Sequence, residues 1–336
     1  MNRVIRHAVI CASLATVIFV LSPEVQAYLK LGASVGNSIV GIDWVNRTIS
    51  YRVTSRDAPG VTASQLQAAI AQCFEEWARP DHVQLSTQFA GFTTLEPDVR
   101  DGQNVLGFQS RPDLDHTLGS TSFQTSATTG ALISADIFLN TSFQWSVASA
   151  GQSGRFDVLS IMTHEIGHLL GLGHSALGET TSSGGGRSVT GKRAVMFPIA
   201  YGPGTIEDRT IEADDIAGIT DIYGGSAAES ELGSIGGRVT LNGAGVFGAH
   251  ITAVNISTGE MVSGFSLNNA GDFAIGALKP GVYLVRAEPL DDADIDSFFD
   301  DDAPVNLNFR VTYFTKQVAV PKGGSSGSIE VKVRAK

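Results

Sequence analysis

The stretch HEIGHLLGLGH, running from His164 to His174, holds three of the chain's seven histidines, with three glycines and one glutamate. On a helix, positions i and i+4 share one face, about 40° and roughly 6 Å apart. His164 and His168 can therefore address one ion. Glu165 points about 100° further round, where it can stand beside a metal-bound water without ligating the metal. Gly171 can take a positive φ that other residues pay for, so the helix can end there and the chain turn back to bring in His174. Three neutral imidazoles with an open fourth position describe a catalytic zinc, not a closed structural one. Zinc lowers the pKa of its water to about 7 and polarises a carbonyl. Glu165 is then placed as general base, taking the water's proton and passing it to a leaving amine. The apolar flanks Val158, Ile161, Leu169 and Leu170 agree with a buried helix.

The chain around this stretch has 336 residues, room for about two domains. Its 43% apolar content and 38 glycines suit a globular, loop-rich, partly β fold. A net charge of −11 argues against nucleic acid as a partner. Residues 1–27 read as a secretory signal: Arg3 and Arg6, an apolar run from Ala8 to Leu21, then Val25-Gln26-Ala27 as a cleavage site. An uncleaved N-terminal anchor is the alternative. The expected location is outside the cell, or the periplasm of a Gram-negative cell, with no stable membrane insertion after cleavage. Beyond residue 27, Cys73 is the sole cysteine, which excludes an intrachain disulfide framework.

Trp44 to Val53 alternates as a strand. Thr62-Ala63-Ser64-Gln65 is a capping box, followed by Leu66, Ile70, Cys73, Phe74 and Trp77 at helical spacing. Cys73 on that stripe reads as a buried small hydrophobe. Strand-like pieces follow at Val83–Phe89, Leu118–Phe123 and Leu132–Leu139. The histidines lie on a second helix, Phe156–Leu172. Ser182–Ser188 is a flexible loop by composition. Ile211–Tyr223 is a third helix, stopped by Gly224-Gly225. Residues 225–234 are small and polar, and read as a linker. Residues 235–336 then show strand after strand between Gly, Asn, Asp and Pro turns, as in an all-β sandwich.

The pattern HExxHxxGxxH resembles the zinc motif of the metzincins. Met196, in Ala194-Val195-Met196-Phe197-Pro198, resembles their methionine turn beneath the zinc. Ser175 after the third histidine looks like the matrixin branch. So do Asp214-Asp215-Ile216, Gly218-Ile219 and Tyr223-Gly224 in the third helix. The resemblance covers about residues 40–224. It implies an α+β zincin catalytic domain: a twisted mixed sheet, an active-site helix and a C-terminal helix. It also implies His164, His168 and His174 as ligands, Glu165 as catalytic base, and Met196 as the floor of the site. Pro198, Tyr201, Gly119 and Ser120 are expected to border the substrate pocket. By fold analogy, Leu118–Phe123 is the edge against which a peptide adds as a strand. The chain also departs from the animal matrixins. Cys73 falls in a core helix, so no cysteine switch is expected. The stretches 118–122 and 134–138 lack the histidines of a second, structural zinc. The loop Ser175–Arg193 is long and rich in Gly and Ser. Asp136 reads as a structural carboxylate sooner than a calcium ligand.

Residues 235–336 resemble the Ig-like or prealbumin-like (carboxypeptidase-regulatory-like) sandwich, carried by GRVTLNGAGVFGAHITAVN and NNAGDFAIGALKPGVYLVRAEP. That likeness implies attachment, substrate binding or stabilisation. The seven aspartates between Asp291 and Asp302 read as a solvated acidic loop, with Ca2+ as the alternative. The expected organisation is a signal at 1–27, a catalytic domain at 28–224, a linker at 225–234 and a sandwich at 235–336. The expected function is that of a secreted, monomeric zinc endopeptidase acting on protein or peptide substrates, with extracellular matrix as one setting. The competing readings are a surface or adhesive binding protein whose sandwich carries the function, and hydrolysis of a non-peptide amide on the same zinc chemistry.

Overall fold

The structure is a computed structural model describing residues 18–19 and 29–336, apart from 37, 98–100, 184–185 and 301. The expected signal therefore lies outside the described residues, save Ile18–Phe19, which pairs with Leu31-Gly32.

That pairing extends a hairpin, β1 (Leu31–Val35) and β2 (Ser38–Gly41). A five-stranded sheet follows, made of β3 (Thr48–Thr54), β4 (Ser86–Thr93), β5 (Val105–Gln109), β6 (Gly119–Thr125) and β7 (Leu132–Asn140). Its order is β4-β3-β5-β7-β6. Every pairing is parallel except β6 with β7, so β6 forms an antiparallel edge. Asp136 on β7 accepts the backbone N–H of Val105 at 2.6 Å and is buried, which is a structural carboxylate's role.

Helix α1 (Ala63–Ala78) starts at the expected box: the Gln65 N–H donates to Thr62 Oγ1, and the Thr62 N–H donates to Gln65 Oε1. Its buried stripe includes Leu66, Ile70, Cys73, Phe74 and Trp77. Cys73 is 2% exposed, and burial pushes its thiol up to about 12. The folded protein is expected to leave Cys73 unreacted with a thiol reagent at pH 8, and to release it only on unfolding; a fast titration of the native thiol would contradict this burial.

Helix α2 (Val158–Leu169) carries the first two histidines. Asp157 caps its start, accepting from the Ser160 N–H while Arg209 grips both carboxylate oxygens. The far end is held by two aromatic donors. Trp44 Nε1 donates to Leu169 O, and Tyr223 OH donates to Leu170 O, both at 2.9 Å. These bonds satisfy carbonyls that a helix end otherwise leaves orphaned.

Two expectations change after the histidines. The segment expected to be flexible forms a hairpin, β8 (Gly178–Ser183) and β9 (Gly186–Lys192), because polar β-branched residues flank its glycines and pair across it. Gly224 also stays right-handed at φ −82° after helix α3 (Ala213–Tyr223). Gly225, at φ +57°, makes the break, and a short helix α4 (Gly225–Glu231) follows where a linker was read.

Residues beyond 232 are mostly β, in two sheets. In one, β10 (Gly233–Leu241) lies between β13 (Asp272–Leu278) and β16 (Ser325–Val333). In the other, β11 (His250–Asn255) lies between β12 (Met261–Phe265) and β14 (Gly281–Glu288), and β15 (Val318–Val320) adds to β14. Ile235 and Val239 from one sheet join Ile251 and Val285 from the other in one apolar cluster. A second cluster crosses between the two halves of the chain. It joins Leu29, Ala176, Phe197 and Ile199 to Phe265, Phe298 and Phe299.

Candidate metal centre

Gly171 takes φ +97°, and a Cβ there would meet Ile42 O at 2.5 Å, so the turn after α2 needs glycine for both reasons. The chain then returns through Gly173, whose N–H donates to Leu29 O. This return brings His174 to the other two rings. His168 Nε2 lies 3.1 Å from His164 Nε2 and 3.2 Å from His174 Nε2. Among the described residues, this is the one group of three or more His, Cys, Asp or Glu whose ligand atoms converge.

The other ring nitrogens settle the tautomers. Nδ1 of His164 faces Val195 O at 2.8 Å, Nδ1 of His168 faces Leu172 O at 2.8 Å, and Nδ1 of His174 faces Ser297 O at 2.6 Å. A carbonyl can only accept, so each Nδ1 carries the proton and each Nε2 presents its lone pair. Burial lowers all three pKa values: His168 to about 3, His174 to about 4, and His164 well below 6.5, aided there by its two neighbours. Three neutral rings with converging lone pairs can hold a cation between them. Tetrahedral zinc with nitrogens at about 2.0–2.1 Å spaces those nitrogens about 3.3 Å apart, close to the separations found. The donor set fits zinc.

Glu165 is fully buried. The Thr121 hydroxyl on the edge strand β6 lies 2.7 Å from its Oε2 and 2.9 Å from its backbone oxygen. Gly119, two residues earlier, leaves room for it, since a Cβ there would stand 3.2 Å from Glu165 Cγ. Ser120, like Gly119, is buried on that strand. Met196 is buried against helix α2: a Cβ on Gly167 would come within 2.3 Å of its sulfur and 2.8 Å of Trp77 Cζ2. Gly167→Ala is expected to overpack this contact and cost about 1–3 kcal/mol, read as a lower urea midpoint; an unchanged midpoint would mean Gly167 is not tightly packed on Met196 and Trp77.

The methionine turn hangs on Asp215. Its carboxylate accepts from the N–H groups of Val195 (2.8 Å), Met196 (3.1 Å) and Glu212 (2.9 Å). Burial, and then Asp214, push the Asp215 carboxyl up to about 7 against those three donors. Pro198 is buried beside the turn. Tyr201 lines a cleft of about 490 Å³ together with Leu177, Lys192 and His250 of the C-terminal β region.

Sequence reasoning did not assign roles to Thr121, Asp215 or Ser297. The short polar run Ser120-Thr121-Ser122, inside the strand expected to edge the site, was a usable signal for the first. Ser297 contributes only a backbone oxygen, which no side-chain motif announces. The aspartate loop is solvated at its carboxylates as expected, with Asp291, Asp294, Asp296, Asp300 and Asp302 exposed, but it is also tied down. Phe298 and Phe299 are 1% and 2% exposed and anchor it, while Thr180 donates from both its N–H and its hydroxyl to Asp292.

A helix-borne triple-histidine group beside a mixed sheet with an antiparallel edge is the build of a metzincin. The chain belongs to the matrixin family, whose model matches residues 43–224. It is 29% identical over 176 residues to metalloendoproteinase 5-MMP of Arabidopsis thaliana, covering 48% of this chain and 40% of that protein. It is 26% identical over 191 residues to matrilysin of Rattus norvegicus, covering 54% and 58%. The chain thus spans between two fifths and three fifths of the length of these relatives. A solved structure of myroilysin aligns with 54% of this chain and 82% of its own at 12% identity, with a TM-score of 0.29.

Proposed function

We propose that this protein is a secreted zinc endopeptidase, with residues 28–224 as its catalytic domain and 235–336 as a sandwich domain. The observation that carries the reading is the convergence of three lone-pair nitrogens beside a buried glutamate on the same helix. His164, His168 and His174 would hold the zinc. When bound, zinc supplies Lewis-acid activation of water and of the scissile carbonyl.

The chain's own residues do the rest. Glu165 accepts a proton from the attacking water at its carboxylate and returns it to the leaving amine nitrogen. The Thr121 hydroxyl bonds the carboxylate through Oε2 and fixes its direction. Among the described residues, strand β6 pairs through one of its edges, with β7, which leaves the other for an extended peptide to add against. Gly119 and Ser120 lie at the start of that strand, and Pro198 and Tyr201 lie on the chain after the methionine turn. These four are the proposed pocket residues. The substrate class is protein or peptide, and the protein acts as a monomer.

The test is casein cleavage by purified residues 28–336, alone, with 1,10-phenanthroline, and with zinc added back. Loss with chelator and recovery with zinc is the expected pattern. Cleavage that ignores the chelator would overturn the assignment.

A further inference from the structure

Each ligand histidine needs an acceptor on Nδ1, and the sources of those acceptors differ. His168 uses Leu172 O, in its own turn, and His164 uses Val195 O, in the methionine turn. Both lie within the matrixin region at 43–224. His174 instead uses Ser297 O, 123 positions away, at 2.6 Å. Ser297 lies on the loop after β14 of the second half of the chain, at the end of a single 3-10 turn, Ile295–Ser297. We infer that the C-terminal β region completes the metal centre: Ser297 is a positioning residue whose carbonyl fixes the tautomer and direction of His174.

The loop is built to deliver that oxygen. Phe298 sits next to Ser297, with its ring edge-on to His174 at 6.3 Å between centroids and packed on Phe265 at 5.7 Å. Phe299 packs at 5.5 Å on the same Phe265. The Phe298 and Phe299 N–H groups both bond Ile295 O, which closes the turn. On the other side the loop is tied to hairpin β8–β9. Thr180 bonds Asp292 twice, and Arg187 Nη1 donates to Asp291 O at 2.9 Å. A second bridge fixes the chain just past the ring. Ser175 donates to Asp214, whose other oxygen accepts the N–H and hydroxyl of Ser263 on β12. His174 is thus held from two directions by residues beyond 232.

The chemistry gives this contact its weight. A neutral imidazole ligates only through the nitrogen that lacks the proton, so an acceptor at Nδ1 keeps Nε2 free for the metal. Loss of such an outer partner typically costs 10–100-fold in metal affinity or activity. The inference rests on the zinc reading above and extends it. It also reassigns the sandwich, from a separate accessory module to a contributor to the active centre.

The test is zinc affinity of the folded full chain, by competition with a fluorescent chelator, beside the visible spectrum of the cobalt-substituted protein. Phe298→Ala removes the anchor beside Ser297, and Phe298→Leu restores apolar bulk. Val331→Ala, in the sandwich core and away from the loop, controls for simple loss of stability. Phe298→Ala is expected to weaken zinc at least tenfold and alter the cobalt spectrum. Phe298→Leu is expected to recover most of the affinity, and Val331→Ala to leave it within twofold. Equal zinc affinity in wild type and Phe298→Ala, or equal weakening by Val331→Ala, would overturn the inference while the zinc reading stands. A wild-type chain that binds no zinc would overturn both.

Discussion

Glu165→Gln is expected to lower kcat/KM for peptide cleavage by about a thousandfold while leaving one zinc per chain, since positioned general acid–base groups contribute about 10²–10⁴. Glutamine keeps the shape of the side chain, and its carbonyl can still accept from the Thr121 hydroxyl that lies 2.7 Å from Oε2. The three imidazoles and their Nδ1 partners are untouched, so metal binding and the unfolding midpoint should hold. What disappears is the basic oxygen that takes the proton. Activity within tenfold of wild type, at full zinc occupancy, would remove Glu165 from the proton path.

The second large effect is structural. Asp215→Ala strips the acceptor from three buried N–H groups, those of Val195, Met196 and Glu212. Each orphaned donor costs about 1–3 kcal/mol, and relief of a buried carboxylate offsets part of that, leaving about 3 kcal/mol of lost stability. The damage should reach the metal as well. Val195 gives its N–H to Asp215 and its carbonyl to His164, so a loosened turn loosens the ligand. A lower urea midpoint together with zinc affinity weakened about tenfold is the expected pair of results. A full-strength midpoint would show that the turn holds without its carboxylate.

Legibility in the sequence followed the physics of each element. Helix α2 and its histidines were readable because ligand spacing, the turn glycine and the apolar stripe sit within one short window. Helix α1 was readable from a capping box and a clean periodicity. Strand β5 was not. It is a central parallel strand, buried along Val105–Phe108, so it lacks alternation, and its Gly107 packs directly against Thr54. The hairpin β8–β9 was hidden by glycine and serine, whose composition suggests mobility while the backbone pairs. The loop after β14 was read by its aspartates, yet the two phenylalanines among them set its fate. Adjacent aromatics in an acidic run need a place to bury, and they found it against Phe197, Ile199 and Phe265. The acceptor that this loop brings to His174 depends on long-range packing, which no local pattern reports.

The most direct test of the account is zinc K-edge X-ray absorption on the purified protein, with metal content measured alongside. The account predicts one zinc per chain, with three imidazole nitrogens at about 2.0–2.1 Å and one further light-atom ligand that is not a protein side chain. A sulfur ligand, a fourth imidazole, or a chain that carries no zinc would contradict it.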